Sequence, residues 1–488
     1  MARRATVIGS GPNGLSAAVA LARAGFEVRV LEAASVAGGG VRTANLTLPG
    51  FRHDVCSAVH PAALSSPFLR AFGIHERVGW IHPLASYAQP LDGGRAAIAW
   101  RDLERTADGL GADGPAWRAL LRPLSSRLGG VVDFTGSQLL RWPRHPITAA
   151  RFGLRTLRLG TRLGRDTFAT EEANALLAGV LAHANTPLPS VGAAASGLFL
   201  AAHAHSADGW AFPRGGSQAI ADALVADLHA HGGVVETGVR VDTLDGLDWG
   251  DPDAGDLLLL NTTPRLLLTH PRLPARYAHA VRHYRYGQAA AKVDFALDGP
   301  VPWAHPEVAL APTVHLGGTR EEIEASENAV ARGGTTERPY VLVVQPSVLD
   351  GTRAPEGKHV LWTYIHVPAG STSDPTQAIV RQIERFAPGF RRHILASHAT
   401  TAAQRAAENP ADIGGDILGG AFTLAQAFRR PVLSRTPWRT PLRGVYLASA
   451  ATPPGPGVSG MPGWLAARQA LRDRRRGERL ELEDLFGS

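Results

Sequence analysis

Gly9, Gly11 and Gly14 stand in the spacing G-x-G-x-x-G within Gly9-Ser10-Gly11-Pro12-Asn13-Gly14, and Glu32 follows eighteen residues after Gly14. Three glycines so spaced and a later acid are the residue types that hold a dinucleotide. Gly9 permits a tight turn, and Gly11, lacking Cβ, lets a pyrophosphate approach the backbone. Gly14 lets a following helix pack close to a sheet, and Pro12 and Asn13 share the loop. Glu32 is placed to accept hydrogen bonds from a ribose. Lys292 is a second residue able to do chemistry. It shares one face of an alternating stretch with Asp294, while Val293 and Phe295 share the other. The elements that must position the glycines are legible around them. Ala5 to Ile8 is an apolar run suited to a buried strand, and Leu15 to Ala24 is helical in composition. Gly25 sits where that helix stops, and Phe26 to Leu31 form a second strand ending at Glu32. In a chain with 54 glycines the motif alone is weak. Strand, glycines, helix, strand and acid in register make it specific, with the helix N-terminus offered to phosphates.

After Glu32 comes Ala33-Ala34-Ser35-Val36-Ala37-Gly38-Gly39-Gly40-Val41-Arg42-Thr43. This resembles the E-x(5)-G-G-x-x-x-T continuation of the FAD oxidoreductases that include amine oxidases and phytoene desaturases. The resemblance puts Ala33, Gly39 and Gly40 against the cofactor. Many members carry arginine directly after the glycine pair. Here that position is Gly40, and Arg42 is the nearest arginine able to face a phosphate.

Composition bounds the rest. At 488 residues the chain is too long for one ordinary core, and 44% hydrophobic with 19% charged residues describes a globular protein. Cys56 is the sole cysteine, which leaves no intrachain disulfide and no cysteine metal site. It reads as a small buried residue and not a nucleophile. No apolar run reaches about eighteen residues, Val191 to Ala202 being the best stretch, so a spanning helix is not expected. The cofactor strand begins too early to follow a signal peptide, and a cytoplasmic protein is expected. Charge is local. Between Trp117 and Phe168 lie ten arginines and only two acids, Asp133 and Asp166, in a chain of net charge +7. This argues against a nucleic-acid-coating protein. Arg151, Arg155, Arg158 and Arg162 recur at helical spacing among leucines. Two readings stand: a helical cap with a solvated basic face, or a surface that lies on anionic lipid.

Further motifs extend the resemblance. Phe212-Pro213-Arg214-Gly215-Gly216-Ser217, a helix from Gln218 and a strand at Val234 to Thr237 resemble the phytoene-desaturase-like order, in which Val241 matches a valine whose backbone meets the adenine. Asp256 to Pro264 resembles that family's strand and N-x-x-P turn. Tyr286 to Phe295 resembles the strand of flavin amine oxidases whose lysine holds a water at flavin N5, and Lys292 is the matching residue. Its alternative is a lysine paired with Asp294 at the sheet surface. His60 is near the flavin segment or structural, and His315, Tyr364 and His366 face a pocket or serve structure. Gly455, Gly457 and Gly460 spell a second G-x-G-x-x-G, but no strand and acid follow. The block resembles instead the carotenoid-desaturase C-terminal signature before a final helix. That resemblance puts Ser449, Val458, Ser459 and Met461 at the flavin, with the helix dipole on its N1–C2=O edge.

The chain is thus identified as a member of the phytoene-desaturase-like FAD oxidoreductases. That group includes carotenoid desaturases and isomerases, retinol saturases and pyridine nucleotide-disulphide oxidoreductase-domain relatives, and the chain is expected nearest its unassigned bacterial members. The resemblance implies an α/β fold: a Rossmann-type FAD-binding domain (1–85, 205–265 and 425–488) with an inserted mixed-sheet substrate domain and helical cap (86–204 and 266–424). It implies FAD, no metal, and hydride removal from an apolar or amphiphilic substrate to flavin N5. Double-bond isomerisation, amine oxidation and a non-catalytic FAD-stabilised partner remain alternatives. The expected partners are a hydrophobic small molecule and an anionic membrane surface.

Overall fold

The computed structural model describes residues 3–474 and 480–487 and is built on two main sheets. The first has five parallel strands in the order Val445–Leu447, Leu257–Leu260, Arg4–Ile8, Glu27–Glu32, Val234–Thr237. Its central strands are apolar because helices and loops cover both faces. Ile8 lies level with Leu31 on one side and Leu260 on the other. The first glycine turn, Glu32 and Asn261 therefore leave the sheet at one edge. The chain passes outward from Arg4–Ile8 in both directions, which opens a crevice at that edge.

Helix Pro12–Arg23 has proline in its first turn and ends before Gly25, whose φ is +84°. It packs against Gln218–Ala230 and Met461–Arg474. A Cβ on Gly463 would lie 1.8 Å from the Asn13 carbonyl oxygen, and one on Gly460 would lie 2.3 Å from Ser16 Oγ. These glycines let the first and last long helices cross in contact. Part of the C-terminal glycine signature is thus a packing requirement.

The second sheet is mixed and has seven strands: Ile394–Thr400, Ala289–Leu297, His359–Val367, Val341–Val344, Thr313–Leu316, Ala85–Leu91, Arg95–Trp100. Only Thr313–Leu316 and Ala85–Leu91 pair in parallel. All nine residues of Ala289–Leu297 are buried. This strand starts later than the alternation from Tyr286 suggests, because the Gly287 N–H is taken by Asp416 Oδ2 at 2.7 Å. Helices from Leu103–Gly109 to Val191–Ala204 form a cap over one face, and Thr376–Phe386 covers the other. The fold is α/β, a Rossmann-type part with an inserted mixed-sheet part and a helical cap. Val191–Ala204, the most apolar candidate, is a cap helix, and no described helix is long and apolar enough to cross a membrane.

A buried ionic clamp joins the small hairpin Thr43–Ala44/His53–Asp54 to the turn Gly351–Arg353 of the mixed-sheet part. Asp54 accepts from Arg353 Nη2 at 2.6 Å, Thr43 Oγ1 at 2.7 Å and the Ser217 N–H at 2.8 Å. Burial alone would raise the Asp54 pKa, but Arg353 and these donors outweigh it and hold the carboxyl below its usual range.

Candidate functional site

The crevice at the sheet edge opens into a cavity of about 630 Å³. At one end its wall is Glu32, Ala33, Ala34 and the stretch 239–242. The middle is formed by the two glycine turns at 9–13 and 39–42. Ser449 to Ala451 and Pro456 to Val458 come next, and His183, Leu200, Trp210, Leu342, Val344, Trp362 and Tyr364 line the far end. The two glycine turns touch: a Cβ on Gly39 would lie 2.9 Å from the Gly11 Cα, and Gly39 has φ +52°. Gly11, the residue before the first helix, provides no side-chain cap, so the first-turn N–H groups face the cavity mouth uncapped. Asn13 Oδ1 is buried there without a protein partner. Glu32 is held ready by the Ser10 N–H and the Ala34 N–H, each at 2.8 Å.

Twelve of the sequence-expected site residues lie on this wall: Gly9, Gly11, Pro12, Asn13, Glu32, Ala33, Gly39, Gly40, Arg42, Val241, Ser449 and Val458. Arg42 does not simply face solvent. Its Nε donates to the Gly39 carbonyl at 3.1 Å and so braces the second glycine turn. Four expected residues are off the wall. Gly14 lies beneath the turn, where a Cβ would meet the Gly9 carbonyl oxygen at 2.0 Å. Ser459 points its Oγ at the Met461 N–H, 3.3 Å away, and Met461 packs into the core beneath the parallel sheet. Lys292 is 4% exposed and ion-pairs with Asp294. The pairing alternative therefore describes Lys292, with one correction. The pair is buried, not at a sheet surface, and Trp362 and Tyr364 stand on the wall where Lys292 does not.

The family model for flavin-containing amine oxidoreductases matches residues 13–463. The chain belongs to this family. FAD is accordingly its cofactor, and the protein is an FAD-dependent oxidoreductase. Over 96% of its length the chain is 25% identical to the Rattus norvegicus pyridine nucleotide-disulfide oxidoreductase domain-containing protein 2, covering 93% of that protein. A 4,4'-diapolycopen-4-al dehydrogenase of Metabacillus indicus is 30% identical over 128 residues, 25% of each chain. Putrescine oxidase bound to putrescine superposes with a TM-score of 0.63 at 16% identity, over 98% of this chain and 100% of the other, a likeness of fold. The observed cradle fits a flavin dinucleotide: abutting glycine turns, an uncapped helix start and an oriented acid.

Several wall residues carried weaker signals or none. Asn261 follows its strand directly and donates from Nδ2 to the Gly9 carbonyl at 3.2 Å, fixing the first glycine turn. The N-x-x-P turn marked its place. Arg405 and Asp412 come from the short helix Ala402–Glu408 and the loop after it, where nothing in the sequence sets them apart. Cys56 lies on the wall, and burial pushes its thiol pKa up, so it stays protonated. His60 is pinned by Ser217 Oγ at 2.8 Å, a structural role. His315 and His366 lie behind the wall, on His183 and Glu327 at 2.7 Å each, while Tyr364 reaches the cavity.

Proposed function

We propose that this oxidoreductase removes hydride from a C–H bond of an apolar or amphiphilic substrate and leaves a new double bond. The observation that supports it is the far chamber, which continues from the nucleotide cradle and is walled by Leu200, Trp210, Leu342, Val344 and Trp362 without a charged group. FAD, when bound, supplies the hydride acceptor and the route by which electrons reach oxygen or a quinone. Gly11 and Gly39 let the pyrophosphate approach, Glu32 accepts from the adenosine ribose, and the backbone at Val241 meets the adenine. Ser449 and Val458 border the flavin. The chamber residues exclude water and orient the reacting carbon. Lys292 stays in its buried pair with Asp294, off the cavity wall, and the reaction uses no side-chain base.

Anaerobic mixing of the holoprotein with graded apolar and amphiphilic substrates tests this. Bleaching of the flavin by such a substrate, with an unsaturated product, is expected. Bleaching by amines alone would replace the reading with amine oxidation. Isomerised product without bleaching would replace it with isomerase chemistry, and no response to any substrate would favour a non-catalytic role.

The protein also docks, in this reading, on the anionic face of a membrane from the cytoplasm. Support comes from the outer side of helix Pro146–Leu159 and its flanks. Trp142, Ile147, Leu154, Leu157 and Leu163 are exposed there, Trp142 at 85% and Leu163 at 74%. Arg144, Arg151, Arg158 and Arg162 stand among them and form no ion pair among the described residues. Arg118, Arg122, Arg141 and Arg165 are instead paired with acids. A solvated basic face does not require leucines at the exposed positions, whereas an interfacial helix does.

A further inference from the structure

Between the glycine cradle and the aromatic chamber the wall carries polar groups that hydride removal does not use. Arg405 is 9% exposed and belongs to the wall. Asp412 Oδ2 lies 3.0 Å from its Nε, but misaligned, so Nε is buried without a hydrogen bond. Apart from the Cys56 thiol, its terminal nitrogens have no hydrogen-bond partner among the described residues, and they are not sealed off as Nε is. The Tyr364 hydroxyl, on a residue 8% exposed, likewise has no protein partner and is not sealed off. The sheet brings the two close: Tyr364 pairs with Lys292 and Lys292 with Thr400, directly before the helix that carries Arg405.

A guanidinium held nine-tenths out of solvent is costly unless an anion meets its free edge. Asp412 covers one edge only, and Glu408 stands exposed at the rim. The two terminal nitrogens form a planar fork that suits the two oxygens of a carboxylate, a stronger acceptor than the neutral Cys56 thiol. The Tyr364 hydroxyl, on the same wall, adds a third donor. Beyond them lies the uncharged chamber of Trp210, Leu342, Val344 and Trp362.

We propose that the substrate is a carboxylic acid with an apolar body, its carboxylate held by the Arg405 fork and the Tyr364 hydroxyl and its body in the chamber. This rests on the oxidoreductase reading above and names the substrate class of the same site. An ammonium at that position would face the Arg405 cation, and a pure hydrocarbon would leave the fork unmet.

The test uses the FAD-loaded protein and three ligands of one chain length: a medium-chain fatty acid, its alcohol and its amine. Perturbation of the flavin spectrum reads binding. The acid is expected to bind at least about tenfold more tightly than the other two, since charge-assisted bonds are at stake. Arg405→Gln removes that preference, Arg405→Lys restores part of it, and Tyr364→Phe weakens the acid by a few-fold. Because Arg405→Gln leaves Asp412 buried without its partner, Arg405→Gln/Asp412→Asn is measured alongside, and it too is expected to lose the preference. Equal binding of acid and alcohol overturns the inference, as does an acid preference that survives both variants. Weaker FAD binding or a shifted flavin potential in Arg405→Gln, with the acid preference intact, assigns Arg405 to the cofactor and also overturns it. A wild-type protein purified without flavin would instead remove the oxidoreductase reading, and that is visible before any ligand is added.

Discussion

Glu32 and Arg42 show how two side chains in one motif divide their work. Glu32 accepts from the Ser10 N–H, the Ser10 hydroxyl and the Ala34 N–H, which orient its carboxylate on the cavity wall. Arg42 is tied to the Gly39 carbonyl and supports the turn from behind. Glu32→Ala should weaken FAD by about 1.5–3 kcal/mol, the scale of hydrogen bonds to a charged group. Arg42→Ala should weaken it less, because it removes a brace and not a ligand. Equilibrium FAD dissociation constants decide this, and comparable values for the two variants would mean that Arg42 contacts a phosphate directly. Lys292 and Asp294 are a different kind of pair. Each is buried, burial pushes the lysine pKa down and the aspartate pKa up, and their mutual attraction opposes both shifts.

At the level of elements, helix Pro146–Leu159 has apolar residues on both sides. Phe152 and Leu159 face the cap, and Leu154 and Leu157 face outward. Leu154→Glu/Leu157→Glu should therefore leave the fold unchanged and abolish sedimentation with anionic vesicles. Each unpaired arginine near such a surface is worth about 1 kcal/mol, an attraction that salt screens. Binding should fade at high salt and be poor with neutral vesicles. Equal sedimentation with neutral and anionic vesicles, or wild-type binding by the double variant, would leave the helix as a plain cap. The glycine turns act as an element too. Gly39→Ala puts a Cβ against the Gly11 backbone and asks alanine to hold a φ of +52°. The two turns should separate, with flavin content of the purified protein falling while its circular dichroism is retained.

At the scale of the whole molecule, one buried ion pair ties distant parts of the chain together. Arg353 and Asp54 are each 1% exposed, so Arg353→Met leaves a buried carboxylate without its cation. Such losses cost about 3–5 kcal/mol, and denaturant unfolding should register it. The buried histidines set a second global property. Burial pushes His53 down to about 3 and His60, His203 and His205 to about 4, with Lys292 and Arg353 adding to the effect at His53. In the unfolded chain these rings take a proton near pH 6.5. Between that value and about 4 the unfolded state binds more protons, so stability falls as pH falls, by about 1.4 kcal/mol per histidine per pH unit. Thermal midpoints should be level above pH 7 and drop steeply between 6.5 and 4.5. A flat profile there would show that these histidines are protonated in the folded state.

The sequence by itself determined the nucleotide cradle, the cofactor and the fold class. From Arg4 to Thr43 the strand, turn, helix, acid and second glycine cluster are contiguous, so their contacts follow from local register, and Glu32 reaches the glycine turn without help from the rest of the chain. Alternation also put Lys292 and Asp294 on one face, which left pairing and a place at the flavin both open. What alternation cannot say is what covers that face. Only the tertiary structure buried the pair beneath Trp362 and kept Lys292 off the cavity wall. It also decided that Gly460 and Gly463 serve a helix crossing, since the atoms they avoid belong to residues 13 and 16. Asp54 and Arg353 are 299 positions apart, and Arg405 meets Cys56 across a similar distance in the chain. Contacts of that span depend on how two sheets and a cap close on each other, and no pattern within a single strand or helix carries that information.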